Sequence, residues 1–378
     1  MVEEHAVNQS HLSRRTLLKG SAAMSAAAIL AANPGARLVR AQGSAAYDLI
    51  DFGPFEVSVS GGAATGPAGT LWGINDAGTV CGQIGVSETR FSPATWSTKG
   101  KLKRLKSGKL GGVARDINDD GVVVGLEYEP DGERSTTRPV VWRDGEPVEL
   151  PNLDGDTAGA RGVATCINND GVIGGSVQHG DDSQAVLWID DVAQPLSDGP
   201  EGRVTGVHRV NDSGTVLASW AAPVTPQGFG RAYGLWRGDD ATVLNVPEEA
   251  AELLTAAVSL NGNDEVLFNA YTVSSFDQTF FFITDGETTS VVDNREDGFG
   301  SITADFNDAG VVVGNIYADE TARAARWEDG KVADLNDLIA ADSGLTLTYA
   351  NAINNAGMIA GLANDEDGVM HGYLLIPS

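Results

Sequence analysis

The sequence predicts an all-β fold, a seven-bladed β-propeller with four antiparallel strands per blade, closed by pairing of its N-terminal strand with its C-terminal blade. Three observations predict it. A corner motif recurs seven times at blade-length spacing. Each corner is followed by a second strand–turn–strand module. The chain begins and ends on fragments that complete one blade only together.

The corner is clearest at Ile74-Asn75-Asp76-Ala77-Gly78-Thr79-Val80-Cys81-Gly82 and at Ile117-Asn118-Asp119-Asp120-Gly121-Val122-Val123-Val124-Gly125, and it returns from Ile167, Val210, Leu260, Phe306 and Ile353. The asparagine is present in all seven: Asn75, Asn118, Asn168, Asn211, Asn261, Asn307 and Asn354. A glycine stands three residues later in six copies, and Asp264 takes its place in the fifth. The intervals between the asparagines are 43, 50, 43, 50, 46 and 47 residues, the period of a propeller blade of about 40–50 residues. The chemistry is that of a hairpin turn. Asn and Asp side chains bond the backbone just ahead of them, and Gly supplies the positive φ that closes the turn. The Val-Val-Gly run behind it reads as a strand buried on both faces. Each copy therefore yields strand A, a turn and strand B.

The second module supplies strands C and D. Pro139-Val140-Val141-Trp142 leads through Asp144-Gly145 into Pro147-Val148-Glu149-Leu150, and Ala185-Val186-Leu187-Trp188 leads into Gln194-Pro195-Leu196. Trp96, Trp236 and Trp327 hold the same place, with Ile283 and Leu375 in the two remaining copies. At the ends, Ser378 follows directly on the seventh strand C, Gly372–Leu375, while Tyr47–Ile50 is an orphan strand D. An open array would leave an unpaired edge, and a ring that pairs its termini leaves none.

The corner resembles that of the HAF-type extracellular repeats, Gly-Ile-Asn-Asp-x-Gly-x-Val-Val-Gly followed by a His-Ala-Phe-Leu-Trp strand. The likeness is closest at Ile74, Ile117, Ile167, Phe306 and Ile353 and spans residues 47–378. The His-Ala-Phe part is degenerate, His371-Gly372-Tyr373 being nearest. The resemblance implies a propeller-like fold and an extracellular location, and no catalytic activity.

Residues 1–41 read as a leader and 42–378 as one propeller domain. Ser13-Arg14-Arg15-Thr16-Leu17-Leu18-Lys19 matches the twin-arginine export signal with Leu17 in place of Phe. An apolar stretch from Ser21 to Ala32 follows, too short for the roughly twenty residues of a membrane-spanning helix. Val39-Arg40-Ala41 has the form of a leader-peptidase site, which places cleavage between Ala41 and Gln42. The expectation is a soluble protein exported folded, with no membrane insertion.

The whole chain carries a formal charge of −27; losing the leader removes two acids and five bases and leaves −30. Such a field repels nucleic acid, whose binding needs a basic stripe. The one lysine cluster, Lys99 to Lys109, lies within a single repeat. Cys81 and Cys166, the two cysteines, sit in strand-like runs and read as small buried hydrophobes rather than as a disulfide framework.

Chemistry-bearing constellations are sparse. No Gly-x-Ser-x-Gly elbow, zinc-type pair or phosphate loop is present, so no cofactor is expected. The corner acids Asp76, Asp119, Asp212 and Asp308 recur at a turn and read as turn formers. The acidic loops Asp154-Gly155-Asp156, Asp181-Asp182 and Asp365-Glu366-Asp367-Gly368 are candidates for calcium, though none matches a twelve-residue calcium loop. Copies four and five depart furthest from the repeat, and their B–C loops bring Trp220, Phe229, Tyr271 and Phe276 forward as candidate binding residues. The same aromatics are also consistent with packing between blades. The function expected is a non-catalytic binding or scaffold propeller whose ligand is an extracellular glycan, small molecule or protein. The second reading is a hydrolase or lyase acting on an extracellular polymer, with Asp116 and Asp305 on the inner strands as the carboxylates to inspect.

Overall fold

The computed structural model describes residues 37–41, 46–55, 69–87, 90–131, 134–157, 160–179, 182–199, 202–221, 231–250, 253–271, 278–292, 300–318 and 321–378. They form seven antiparallel sheets, six of four strands and one of five. Each sheet is a blade. The inner strands A are Gly69–Ile74, Gly112–Ile117, Gly162–Ile167, Val204–Val210, Leu254–Leu260, Gly300–Phe306 and Leu345–Ile353, each touching the next around a closed ring. The predicted seven-bladed, four-stranded architecture is the one observed.

The last blade closes the ring as the sequence predicts. Strand Tyr47–Pro54 lies antiparallel to the C-terminal strand Met370–Pro377, with Leu49 opposite Leu375 and Ile50 opposite Leu374. The seam is tied further at one end, where Ser378 donates its N–H to the Ala46 carbonyl and Arg326 donates to the Tyr47 hydroxyl at 2.9 Å, and at the other, where Phe55 donates its N–H to the Met370 carbonyl at 2.9 Å. Strand Arg37–Val39, which the sequence assigns to the leader, adds a fifth strand outside Tyr47–Pro54.

The core is not one cluster but seven, one in each seam between neighbouring blades. This follows from strands buried on both faces: each blade offers one apolar face to either neighbour. The N-terminal strand feeds two seams, Tyr47 and Leu49 one of them and Ile50 and Phe52 the other. The strand C tryptophans lie in these seams. Trp142 and Trp188 also donate their indole N–H groups to the carbonyls of Lys106 and Pro151, both at 2.7 Å, which fastens each strand C to the connection leaving the previous blade.

Two features of the inner strands position what lines the channel. Every strand A carries a register shift two residues before its corner asparagine, for instance between Leu71 and Gly73 and between Ala114 and Asp116. Such a bulge bends the strand and re-aims the side chains beside it. Opposite the bulge, strand B presents the last glycine of the corner motif. A Cβ on Gly125 would stand 2.0 Å from the Val113 carbonyl, and one on Gly361 1.9 Å from that of Tyr349. Five blades have glycine there, and in these the backbone of strand A fills the space of a Cβ; blades 4 and 5 carry Ala218 and Phe268 opposite the same bulge.

Candidate ligand-binding channel

The seven corner asparagines form a continuous belt around one mouth of the central channel. All are buried. Each Oδ1 accepts the main-chain N–H four residues on, as Asn118 does from Val122 at 3.0 Å. Each Nδ2 donates to the main-chain carbonyl of the next blade's asparagine, at 2.9–3.5 Å, ending with Asn354 to Asn75 at 2.9 Å. The sequence identified these residues as turn formers; their second bond, across the seam, becomes visible only in the ring. The corner glycines and Asp264 hold the positive φ expected of them, from 65° at Asp264 to 82° at Gly214.

A second tier lies on the next residue of each corner. The side chain there accepts the N–H of its counterpart in the preceding blade: Asp119 from Asp76, Asn169 from Asp119, Asp212 from Asn169, Asp308 from Gly262 and Asn355 from Asp308. The tier is broken at Gly262, which has no side chain to offer Asp212. Asp264 mends that seam by another route. One of its oxygens accepts from Asn211 at 2.8 Å and Ser213 at 3.1 Å, and the other pairs with Arg237. These bonds and the Arg237 charge outweigh burial and hold its carboxyl below the usual range.

Inside this mouth lies a cavity of about 380 Å³. Asp116, Arg209, Ser259 and Asp305 line its interior, and Asp76, Asp212 and Asp308 line its rim. The interior residues occupy one repeat position, two before the asparagine and just past the bulge. Around the ring that position reads Gly73, Asp116, Cys166, Arg209, Ser259, Asp305 and Ala352. Asp116 accepts from the N–H groups of Ile117 at 2.9 Å and of Ile167, in the next blade, at 3.0 Å. Asp305 accepts from the Ser259 hydroxyl at 2.6 Å and from the Ile353 N–H at 3.1 Å, so it joins the blades on both sides. Burial pushes both carboxyls up, against the pull of Arg209. For Arg209 burial alone would favour the neutral form, and the carboxylates of Asp116 and Asp305 more than offset it. At the rim, burial and then the Asp119 charge raise the Asp76 carboxyl.

The remaining titratable groups near the channel are quiet. Burial pushes the Cys166 thiol up to about 12 and the Cys81 thiol well above its ordinary value, which makes both poor nucleophiles. His208 hydrogen-bonds Ser219 at 2.8 Å, and burial with the nearby Arg231 and Arg209 charges lowers it to about 4, so it is neutral near pH 7.

Of the four candidate aromatics the structure describes Trp220 and Tyr271. Trp220 is 1 % exposed and lies edge-on to Trp236, ring centroids 5.8 Å apart, within the seam between blades 3 and 4. Tyr271 is half-buried at the end of strand Val266–Tyr271, and its phenol is raised by burial. Phe229 and Phe276 lie outside the described residues. Of the acidic loops, Asp365 is used locally, accepting from the N–H groups of Asp367 and Val369. Asp181 and the Ala41–Gln42 bond involve residues outside those described. Among the described residues no group of three or more His, Cys, Asp or Glu converges to hold a metal, and no helix is long and apolar enough to cross a membrane. The sequence reading missed Arg209, the one cation among the described residues that line the cavity; its signal was a basic residue at a repeat position otherwise small, acidic or neutral.

No family model matches the chain, and no curated protein does. The fold is similar to that of the β-propeller domain of the Trilobed protease from Pyrococcus furiosus, at a TM-score of 0.53 and 10 % identity over 81 % of this chain and 95 % of that one. That propeller has an open velcro topology, whereas here the N- and C-terminal strands pair. Puromycin hydrolase is similar at a TM-score of 0.52 and 13 % identity over 80 % of this chain. The match spans about half of that enzyme, 51 % of its chain. At these identities the likeness is one of fold.

Proposed function

We propose that this protein is an exported, non-catalytic binding propeller. The observation that carries the reading is the state of the channel carboxylates. Asp116 and Asp305 each accept hydrogen bonds that tie their blade to a neighbour. Hydrolysis of a glycosidic bond needs one carboxyl to protonate the leaving oxygen and a second to act as base or nucleophile, roughly 5–10 Å away. Carboxylates spent on main-chain donors in two blades on opposite sides of the ring are poorly suited to those roles. The mixed set at that position, from Gly73 to Ala352, instead suits recognition of a polar ligand by varied groups. The Arg14-Arg15 leader supports export, and the ligand is then an extracellular glycan, small molecule or protein.

One experiment separates binding from catalysis. The protein is incubated with a panel of polysaccharides and small metabolites, and both the melting temperature and product release are followed. A raised melting temperature without product is expected, because a ligand that binds only the native state stabilises it by mass action. Release of saccharide products that vanishes in Asp116→Asn and Asp305→Asn would overturn the reading in favour of a hydrolase or lyase.

A further inference from the structure

The channel mouth opposite the asparagine belt has a different chemistry. Among the described residues, the aromatic side chains more than a third exposed are Trp72 at 38 %, Tyr317 at 37 % and Tyr349 at 37 %. Tyr317 stands at this mouth and Trp72 and Tyr349 on the inner strands that lead to it, on three consecutive blades. Trp72 is the bulge residue of strand Gly69–Ile74, and Tyr349 stands in strand Leu345–Ile353. Tyr317 pairs with Gly300, at the start of its blade's inner strand. The two inner strands are held together by Asn351, which donates to the Leu71 carbonyl at 3.0 Å. The other described aromatic rings are buried in seams or, like Phe91, Tyr128 and Tyr271, half-buried.

Two donors behind these rings have no partner. The Asn315 Nδ2 and the Arg115 Nε are buried and unbonded. Asn315 is 5 % exposed, pairs with Ile302 and precedes Tyr317 by two residues on one strand, so both side chains lie on the same face of their blade. That face is turned to the last blade, since Val313, also on it, packs with Leu347 and Tyr373. The Arg115 guanidinium lies 4.6 Å from the centre of the Trp72 ring. Buried donors without acceptors are costly, and an incoming ligand that supplies acceptors relieves them.

These features select one ligand chemistry. Flat rings suit a flat, partly apolar face, and unmet N–H donors call for oxygen acceptors. An anionic acceptor is disfavoured by the −27 charge of the chain. We propose that this mouth binds a neutral saccharide, with one pyranose stacked on Trp72, its neighbour over Tyr317 and Tyr349, and their oxygens accepting from Arg115 and Asn315 directly or through one water. The proposal rests on the binding reading above and names its ligand class.

The test is calorimetric titration of the folded protein with cellotetraose, maltotetraose and mannotetraose, with trigalacturonate as the charged control. At least one neutral tetraose binds, and trigalacturonate binds more weakly. Trp72→Ala and Tyr317→Ala each weaken binding about tenfold, the scale of one lost aromatic contact, while Tyr317→Phe keeps it within about twofold. Melting temperatures, measured alongside, show that each variant remains folded at the titration temperature. No binding of any neutral tetraose, or tighter binding of trigalacturonate, overturns the site. Binding unchanged in Trp72→Ala overturns the site and leaves the binding reading standing. Binding at this mouth followed by cleavage supports the site and overturns the non-catalytic reading.

Discussion

A single corner asparagine joins two blades with one side chain. Asn118 accepts from Val122 in its own turn and donates to the Asn168 carbonyl across the seam. Replacing it with Ala leaves the Val122 N–H without its partner and takes one of two donors from the Asn168 carbonyl, which keeps the Gly171 N–H. Asn118→Ala is therefore expected to cost about 2–4 kcal/mol, two lost hydrogen bonds and one desolvation penalty. Equilibrium urea unfolding checks this, and a loss under about 0.5 kcal/mol would mean that water replaces the belt. The corner of blade 5 gives a sharper case, because turn propensity and the seam oppose each other there. Asp264 holds φ at 65°, a conformation that Gly adopts with about 1 kcal/mol less strain. On propensity alone Asp264→Gly would stabilise. The ties to Asn211, Ser213 and Arg237 are lost with the carboxylate, however, so the variant is expected to be less stable. Its folded-state carboxyl is depressed. The stability it contributes is present above the ordinary Asp value of about 3.9 and fades as pH falls through the lower folded value. The deficit of Asp264→Gly should thus be full near pH 7 and shrink in acid. A deficit independent of pH would place the effect in the backbone.

Among the elements, the closing strand Tyr47–Pro54 comes from the opposite end of the chain to the strand it closes on, Met370–Pro377. It is held by its ladder to Met370–Pro377, by seam packing and by one ionisable contact. Asp51 accepts from His371 at 2.8 Å while also accepting the Gly53 N–H, and Asp365 stands 3.5 Å from the other imidazole nitrogen. The Asp51 hydrogen bond, partly opposed by burial, raises the His371 pKa. A raised histidine stabilises the fold fully below its unfolded value of about 6.5, and that contribution is lost as pH rises through the folded value. The closing seam should therefore loosen on going from about pH 6 to about pH 8. His371→Gln keeps a hydrogen-bond donor and removes the titration. Melting curves of the two proteins should converge toward alkaline pH, and parallel curves across the range would show that the pair carries no charge. The inner strands behave as elements in another way. Their bulge is common to all seven, and in five blades a strand B glycine packs against the backbone beside it, whereas blades 4 and 5 hold Ala218 and Phe268 there.

For the whole molecule, the decisive terms are closure and charge. Asp48 faces Ile376 across the closing ladder, and both are half-buried. Cysteines introduced at these two positions are expected to crosslink in the native protein, since facing strand positions bring Cβ atoms within about 4.5–5.5 Å. The crosslinked ring should melt higher than its reduced form. Failure to oxidise under native conditions would contradict the register of the seam. Charge acts on every blade at once. A chain at −27, or −30 without residues 1–41, repels itself, and the repulsion is screened as the Debye length falls from about 30 Å at 0.01 M salt to about 3 Å at 1 M. The melting temperature should rise with sodium chloride over that range. A flat or falling dependence would mean that the acids are already neutralised, by bound cations or by shifted pKa values.

The sequence by itself determined the repeat, the number of blades, the turn chemistry of every corner and the strand that closes the ring. These depend on spacing and on residues acting within a few positions of themselves, as Asn118 does on Val122. Only the tertiary structure decided what the same residues do across seams. Asn118 and Asn168 are fifty positions apart, Asp305 and Ile353 forty-eight, and nothing in either neighbourhood records that they meet. The candidate site divided along the same line. Trp220 marks an irregular copy, and its burial beside Trp236 of its own blade is completed by Cys166, Ala185 and Leu196 of the preceding one. Trp72 looks ordinary in its own repeat, and it stands exposed because the bulge turns it into a channel that seven blades enclose. Hydrogen bonds along the chain are fixed by local geometry, whereas burial and exposure are fixed by what the closed ring brings alongside.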